Sequence, residues 1–349
     1  MASYEYKSLN LKDYINQLYN DGLKKSVYLT ENEIEDLIYQ MGIFKFKGYV
    51  RAFKQNLKNY KIEDVLFLYF FDRLLSKELL NLCLTFESKL KSILVENSYK
   101  LTSNPFFYLV KSSYIDDRFK LKNEILDNWK EKNYPNNEEY THYHQYYLHT
   151  YSFEKNKEVY LKNETLLYSD TDINFPPFHY LVESSTFGII KGFINNLTIN
   201  DNILLNNIAR EFGFYQGQKF KSYIERVNEI RNRCAHNGRV FNRTYRSVTA
   251  LGKYKTFRSE NISLHGVIDV YLTLYFLLNR IDNFENFNEF VYEVIEELFK
   301  MFKCDYETKQ LSKNLITSYD DIEFDKLKNF ILKGMGIKKL NVQAEVQCK

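Results

Sequence analysis

A chain of 349 residues is long enough for one large domain or two ordinary ones. Its 48 lysines and arginines nearly balance its 45 acids, and its 4 prolines and 12 glycines are too few for a chain built from many short strands. Cys83, Cys234, Cys304 and Cys348 lie far apart with no CxxC pair, so no disulfide framework is expected, and the polar start MASYEYKSLNLKDY has no signal-peptide core.

In chain order, residues 31–58 read as a helix, a break at Gly42, and a second helix or turn through GYVRAFKQ. Residues 62–100 form the longest helical tract, because apolar residues recur at three- and four-residue steps and no glycine or proline interrupts them. Residues 103–160 are mixed, with a helix near 117–132. Residues 176–197 read as one helix begun by the pair Pro176–Pro177, residues 200–212 as another closed by Gly213, and residues 218–237 as a third closed by Gly238. Two more helices follow at 264–281 and 285–303, then a polar tail with a helix at 321–333. Segment 240–260 alternates weakly and is taken as irregular. The apolar run 267–281 contains Asp269 and is too short to span a bilayer. These elements describe an all-α protein in three parts: a small helical N-terminal unit (1–60), a helical bundle (61–303) and a polar C-terminal tail (304–349). A cytoplasmic location is expected.

The informative segment is FKSYIERVNEIRNRCAHNGRVFNRTYR, from Phe220 to Arg246. At 100° per residue, Phe220, Ile224, Val227, Ile230 and Cys234 share one stripe, the buried face of an amphipathic helix. Glu225, Glu229, Asn232 and His236 lie on the opposite side, and Asn232 and His236, four apart, are neighbours. Arg231 falls inside the apolar stripe, where a guanidinium needs a partner or must reach past its neighbours. Two readings are open: a structural arginine–carboxylate pair that fixes helix packing, or a functional cation. Glu183, on the helix after the proline pair, is a candidate partner. His236, in the last turn before Gly238, is either a surface or capping histidine or a group that gives and takes a proton.

From Arg231 to Arg258 there are 8 basic residues and no acid: Arg231, Arg233, Arg239, Arg243, Arg246, Lys253, Lys255 and Arg258. A cationic stretch of this kind suits a polyanion such as RNA, although a solvated basic loop would look the same.

The string RNRCAHNGRVFNR, with Arg–x4–His and asparagine directly after the arginine, resembles the motif of the HEPN ribonucleases. Its longer form is similar to the Abi-like branch of that superfamily, to which AbiD- and AbiF-type phage-defence proteins belong. Three further segments agree, in the same order along the chain: IYQMGIFKFKGYVRAF, FFDRLLSKELLNLCLTFESKLKS and PPFHYLVESSTFG. The resemblance covers about residues 25–300. It implies a HEPN-type helical bundle, often dimeric, that cuts RNA without a cofactor or metal. It implies that His236 acts as general acid or base, Arg231 stabilises the phosphate charge and Asn232 orients the substrate. Some relatives are restrained by a small structured RNA. Gly238 stands where one HEPN toxin group has a modifiable tyrosine two residues after the histidine, and Phe178 stands where tryptophan is frequent.

Other chemistries lack support. His142, His144 and His149 have no completing cysteine or carboxylate cluster for a metal. GFYQGQK at 213–219 has the wrong glycine spacing for a phosphate-binding loop. Apart from the nuclease, two readings remain: a non-catalytic RNA-binding regulator, and a protein-interaction scaffold.

Overall fold

In the computed structural model, residues 10–27, 29–115, 153–167, 175–245, 265–279 and 321–337 are described. The expected helices near 117–132 and 285–303, and His142, His144 and His149, lie outside these residues.

Helix α1 (Leu11–Asn20) starts at Asn10, whose side chain accepts from the Lys12 N–H. Helix α2 (Glu31–Met41) starts with a capping box, in which Thr30 Oγ1 accepts from the Glu33 N–H and Glu33 Oε2 accepts from the Thr30 N–H. Gly42, with φ +90°, breaks the chain before α3 (Ile43–Phe53), a conformation that costs any other residue strain. A 3-10 turn (Lys54–Asn59) leads into α4 (Ile62–Leu101), the longest described helix with 40 residues. At 1.5 Å per residue it runs roughly 60 Å.

Every α4 residue from Ile62 to Leu68 is buried, so neighbours surround this end of the helix. Farther along, burial narrows to one stripe through Phe71, Leu75, Leu79, Cys83, Phe86, Leu90 and Leu94, the three- and four-residue steps of a single face.

The remaining described helices are α5 (Phe153–Tyr160), α6 (Phe178–Ser184), α7 (Phe187–Asn196), α8 (Leu204–Glu211), α9 (Gly217–Ala235), α10 (Val267–Asn279) and α11 (Asp321–Met335). Helices α6 to α10 pack against this axis, α11 touches it through Phe324 on Phe67, and α5 lies by Phe106 beyond its end. The single helix expected over 176–197 is instead the pair α6 and α7. Ser185 is extended (φ −83°, ψ 143°), and its hydroxyl turns back to the Leu181 carbonyl at 2.5 Å. The helix expected from residue 200 begins at Leu204, because Asn200 and Asp201 (φ 49° and 63°) make a left-handed two-residue turn between Thr198–Ile199 and Asn202–Ile203. That antiparallel pair is the only named sheet among the described residues; the protein is all-α.

Helix α9 runs antiparallel to α4: its last turns and the loop after it meet Asp72, while Arg231, a turn earlier, meets Glu87. Between α9 and α10, Arg226 and Asp269 form a fully buried ion pair at 2.7 Å. Helix α11, within the segment expected to be a polar tail, buries Leu327, Ile331, Leu332 and Met335. Its Phe330 stacks on Phe53 of α3 with ring centroids 4.5 Å apart. Gly334 faces the Phe241 ring so closely that a methyl group there would collide with it. The loop after α9 is thereby clamped between α4 and α11.

Candidate active site

The apolar stripe expected on α9 is buried as read: Phe220, Ile224, Val227, Ile230 and Cys234 all face the core. Asn232 and His236 are exposed. The helix ends at Ala235, and Asn237, not Gly238, takes the left-handed position (φ 55°). The Gly238 N–H donates to the Arg233 carbonyl at 2.8 Å and the Asn237 N–H to Cys234 at 3.1 Å, which closes the last turn. His236 is thus fixed through its backbone while its ring faces out.

The chain then turns inward, and Asp72 of α4 holds it there. This buried carboxylate accepts from the Val240 N–H (3.2 Å), the Phe241 N–H (2.6 Å) and the Tyr49 hydroxyl of α3 (2.5 Å). Burial pushes the Asp72 carboxyl up to about 6, against the opposing pull of these hydrogen bonds and of Arg239. One acid thereby links three segments remote in sequence.

Between these segments lies a cleft of about 430 Å³. It is lined by His236, Asn237 and Gly238, by α3 residues between Phe44 and Arg51, and by α4 residues between Tyr69 and Ser76. Five cations line it: Lys45 and Arg51 from α3, Arg73 from α4, and Arg239 and Arg243 from the loop. Asp72 is the only acid lining it among the described residues. Arg73 donates to the Asn237 side-chain carbonyl, tying the turn to α4. Arg239 donates to the Gly48 carbonyl at 2.5 Å and lies 5.9 Å from the centre of the Tyr49 ring. Burial, and after it the neighbouring Arg243, make Arg239 easier to deprotonate than an ordinary arginine.

Of the residues named from sequence, His236, Arg239 and Arg243 line this cleft, whereas Arg231 and Asn232 do not. Arg231 instead turns toward α4, its Nε 3.5 Å from Glu87 Oε2, with Lys91 Nζ 3.8 Å from the other oxygen of that acid. It also reaches its neighbour, the Asn232 side-chain oxygen, at 3.4 Å. Glu87, not Glu183, is therefore the acid beside Arg231. Glu183 is exposed in the last turn of α6, beside Lys91 and His179 in a separate groove of about 480 Å³, and its backbone carbonyl accepts from Lys91 at 2.9 Å. Arg233 packs by α9, 3.7 Å from Glu229 and 5.9 Å from the centre of the Tyr245 ring. Arg246, Lys253, Lys255 and Arg258 lie outside the described residues.

Burial pushes the Cys83 and Cys234 thiols up, away from the thiolate a nucleophile needs. Among the described residues, no group of His, Cys, Asp or Glu is placed to hold a metal, and no helix is long and apolar enough to cross a membrane.

Fold and site together define an all-helical protein with a histidine at the mouth of a cationic cleft. The chain belongs to the Abi-like protein family, whose model matches residues 36–242, from α2 through the cleft loop. Membership points to abortive infection, a form of phage defence. No curated protein and no solved structure matches the chain.

Proposed function

We propose that this chain is a HEPN-type endoribonuclease that acts in the cytoplasm during abortive infection and needs no metal. The reading rests on one observation: an exposed imidazole at the edge of a cleft lined by five cations, where the one acid among the described residues is already committed to three hydrogen bonds. RNA supplies its own nucleophile. A base takes the proton from a 2′-hydroxyl, and that oxygen attacks the adjacent phosphorus. The bond to the 5′-oxygen breaks, and an acid protonates the departing oxygen. The products are a 2′,3′-cyclic phosphate and a 5′-hydroxyl.

His236 serves as acid or base; Arg231 and Asn232, which lie outside the cleft of a single chain, offset the charge on the pentavalent phosphate and orient the substrate where two copies bring their α9 ends together. Arg233, Arg239 and Arg243, with Arg246, Lys253, Lys255 and Arg258, supply phosphate contacts; Glu183 has no part in the chemistry. One motif holds one imidazole, and the full reaction uses an acid and a base, so the active form is a two-fold dimer with the ends of both α9 helices at its interface. A small structured RNA held by the same cations would restrain such an enzyme. The test is to incubate wild type and His236→Ala with single-stranded RNA in chelator. Cleavage by the wild type alone supports the reading; no cleavage, or equal cleavage, ends it.

A second reading, a regulator that binds RNA without cutting it, draws on the engagement of Arg231 by Glu87 outside the cleft. Tight RNA binding with the RNA recovered intact would favour it.

A further inference from the structure

The cleft beside His236 contains more than the motif loop, and what α3 adds has its own chemistry. Phe44, at its rim, is 66% exposed, although the rest of α3 buries its aromatic rings: Phe46, Tyr49 and Phe53 are all in the core. Lys45 and Arg51 on the same helix and Arg73 on α4 are also exposed around the cleft. The Tyr69 ring lies nearby, held edge-on to Tyr49 with centroids 5.5 Å apart. An exposed flat ring ringed by cations is the combination that binds unpaired nucleotides, because every base has a face to stack and every phosphate a charge to neutralise. A duplex hides its base faces and gains only the second term.

We propose that Phe44, Lys45, Arg51 and Arg73 form a single-strand subsite, in which a base of an unpaired RNA segment stacks on Phe44 while the flanking phosphates lie against Lys45, Arg51 and Arg73. The strand then runs along α3 toward His236. The assignment rests on the nuclease reading for its choice of RNA as ligand, but not for the binding itself. It makes α3, outside the motif, the element that selects single strands.

The test measures binding of a fluorescent, unstructured RNA oligomer and of an RNA duplex by anisotropy at several salt concentrations. The full-length His236→Ala protein is the background, so that the RNA stays intact. Phe44→Ala is expected to weaken single-strand binding by about fivefold or more, with a smaller effect on duplex. Lys45→Ala and Arg51→Ala should each reduce the slope of log affinity against log salt by roughly 0.7. Tyr39→Ala, 84% exposed on α2 and away from the cleft, should change nothing. All these side chains are exposed, and a thermal melt of each variant verifies its fold. Unchanged single-strand binding in Phe44→Ala and in both cation variants would overturn the subsite, as would an equal loss on duplex or no binding by the background protein. Loss of binding in these variants, with wild-type protein leaving the same RNA intact, would keep the subsite and remove the nuclease assignment.

Discussion

Removing Asp72 tests whether one buried acid builds the cleft. Asp72→Ala leaves three buried donors without an acceptor: the Val240 and Phe241 N–H groups and the Tyr49 hydroxyl. At about 1–3 kcal/mol for each, less some relaxation, the expected loss is about 3–6 kcal/mol. That is a large part of the 5–15 kcal/mol by which domains are usually stable. Asp72→Asn retains an acceptor for the backbone groups and should cost about 1–2 kcal/mol. The pair also has a pH signature. The Asp72 carboxyl moves from 3.8 to about 6 on folding. Between those values the folded protein holds a proton that the unfolded chain releases. This contribution is therefore full below about 4 and lost as pH rises through about 6, by up to about 3 kcal/mol. Urea denaturation followed by circular dichroism across that range should show the wild type losing its advantage over Asp72→Asn as pH rises. A difference independent of pH, or an Asp72→Ala protein within about 1 kcal/mol of wild type, would refute the reasoning.

Two further outcomes follow from the ion pairs. The Arg226–Asp269 pair is 2.7 Å apart, with side chains 1% and 0% exposed, so Asp269→Ala should cost about 3–5 kcal/mol by removing the buried carboxylate that Arg226 faces. The double variant Arg226→Met with Asp269→Leu should recover most of that in chemical denaturation. Glu87→Gln removes the charge 3.5 Å from Arg231 and should lower single-turnover RNA cleavage about tenfold by loosening the guanidinium, while RNA affinity at the cleft stays unchanged. Unaltered cleavage would mean that Glu87 does not position Arg231.

Features set within one segment could be read from sequence. Helix α4 was readable because nothing in it interrupts the apolar spacing, and the expected range 62–100 differs by one residue from Ile62–Leu101. The buried stripe of α9 followed in the same way, and an acid beside Arg231 was one of the two readings its place in the stripe left open. The identity of that acid did not, because the register of α4 against α9 is not written in either helix; Glu87 and Arg231 are 144 positions apart (231 − 87). Lys45, Arg51 and Arg73 were missed for the same reason: each is an ordinary surface cation until the chain folds α3 and α4 against the loop. Phe44 had no signal of its own in a sequence with 28 phenylalanines. The break between α6 and α7 did have one, the run Ser184–Ser185–Thr186, whose hydroxyls compete for backbone groups and suit helix ends. Asn200–Asp201 was likewise a turn signal, masked by the helical spacing that follows it.

The most direct experiment identifies the ends left on cut RNA. Single-stranded RNA, and the same oligomer with every 2′-hydroxyl methylated, are incubated in chelator with wild type and with His236→Ala, and the products are weighed by mass spectrometry. A 2′,3′-cyclic phosphate and a 5′-hydroxyl from the unmodified RNA with wild type only is the expected result. Cleavage of the methylated strand, 5′-phosphate ends, or identical products from His236→Ala would contradict it.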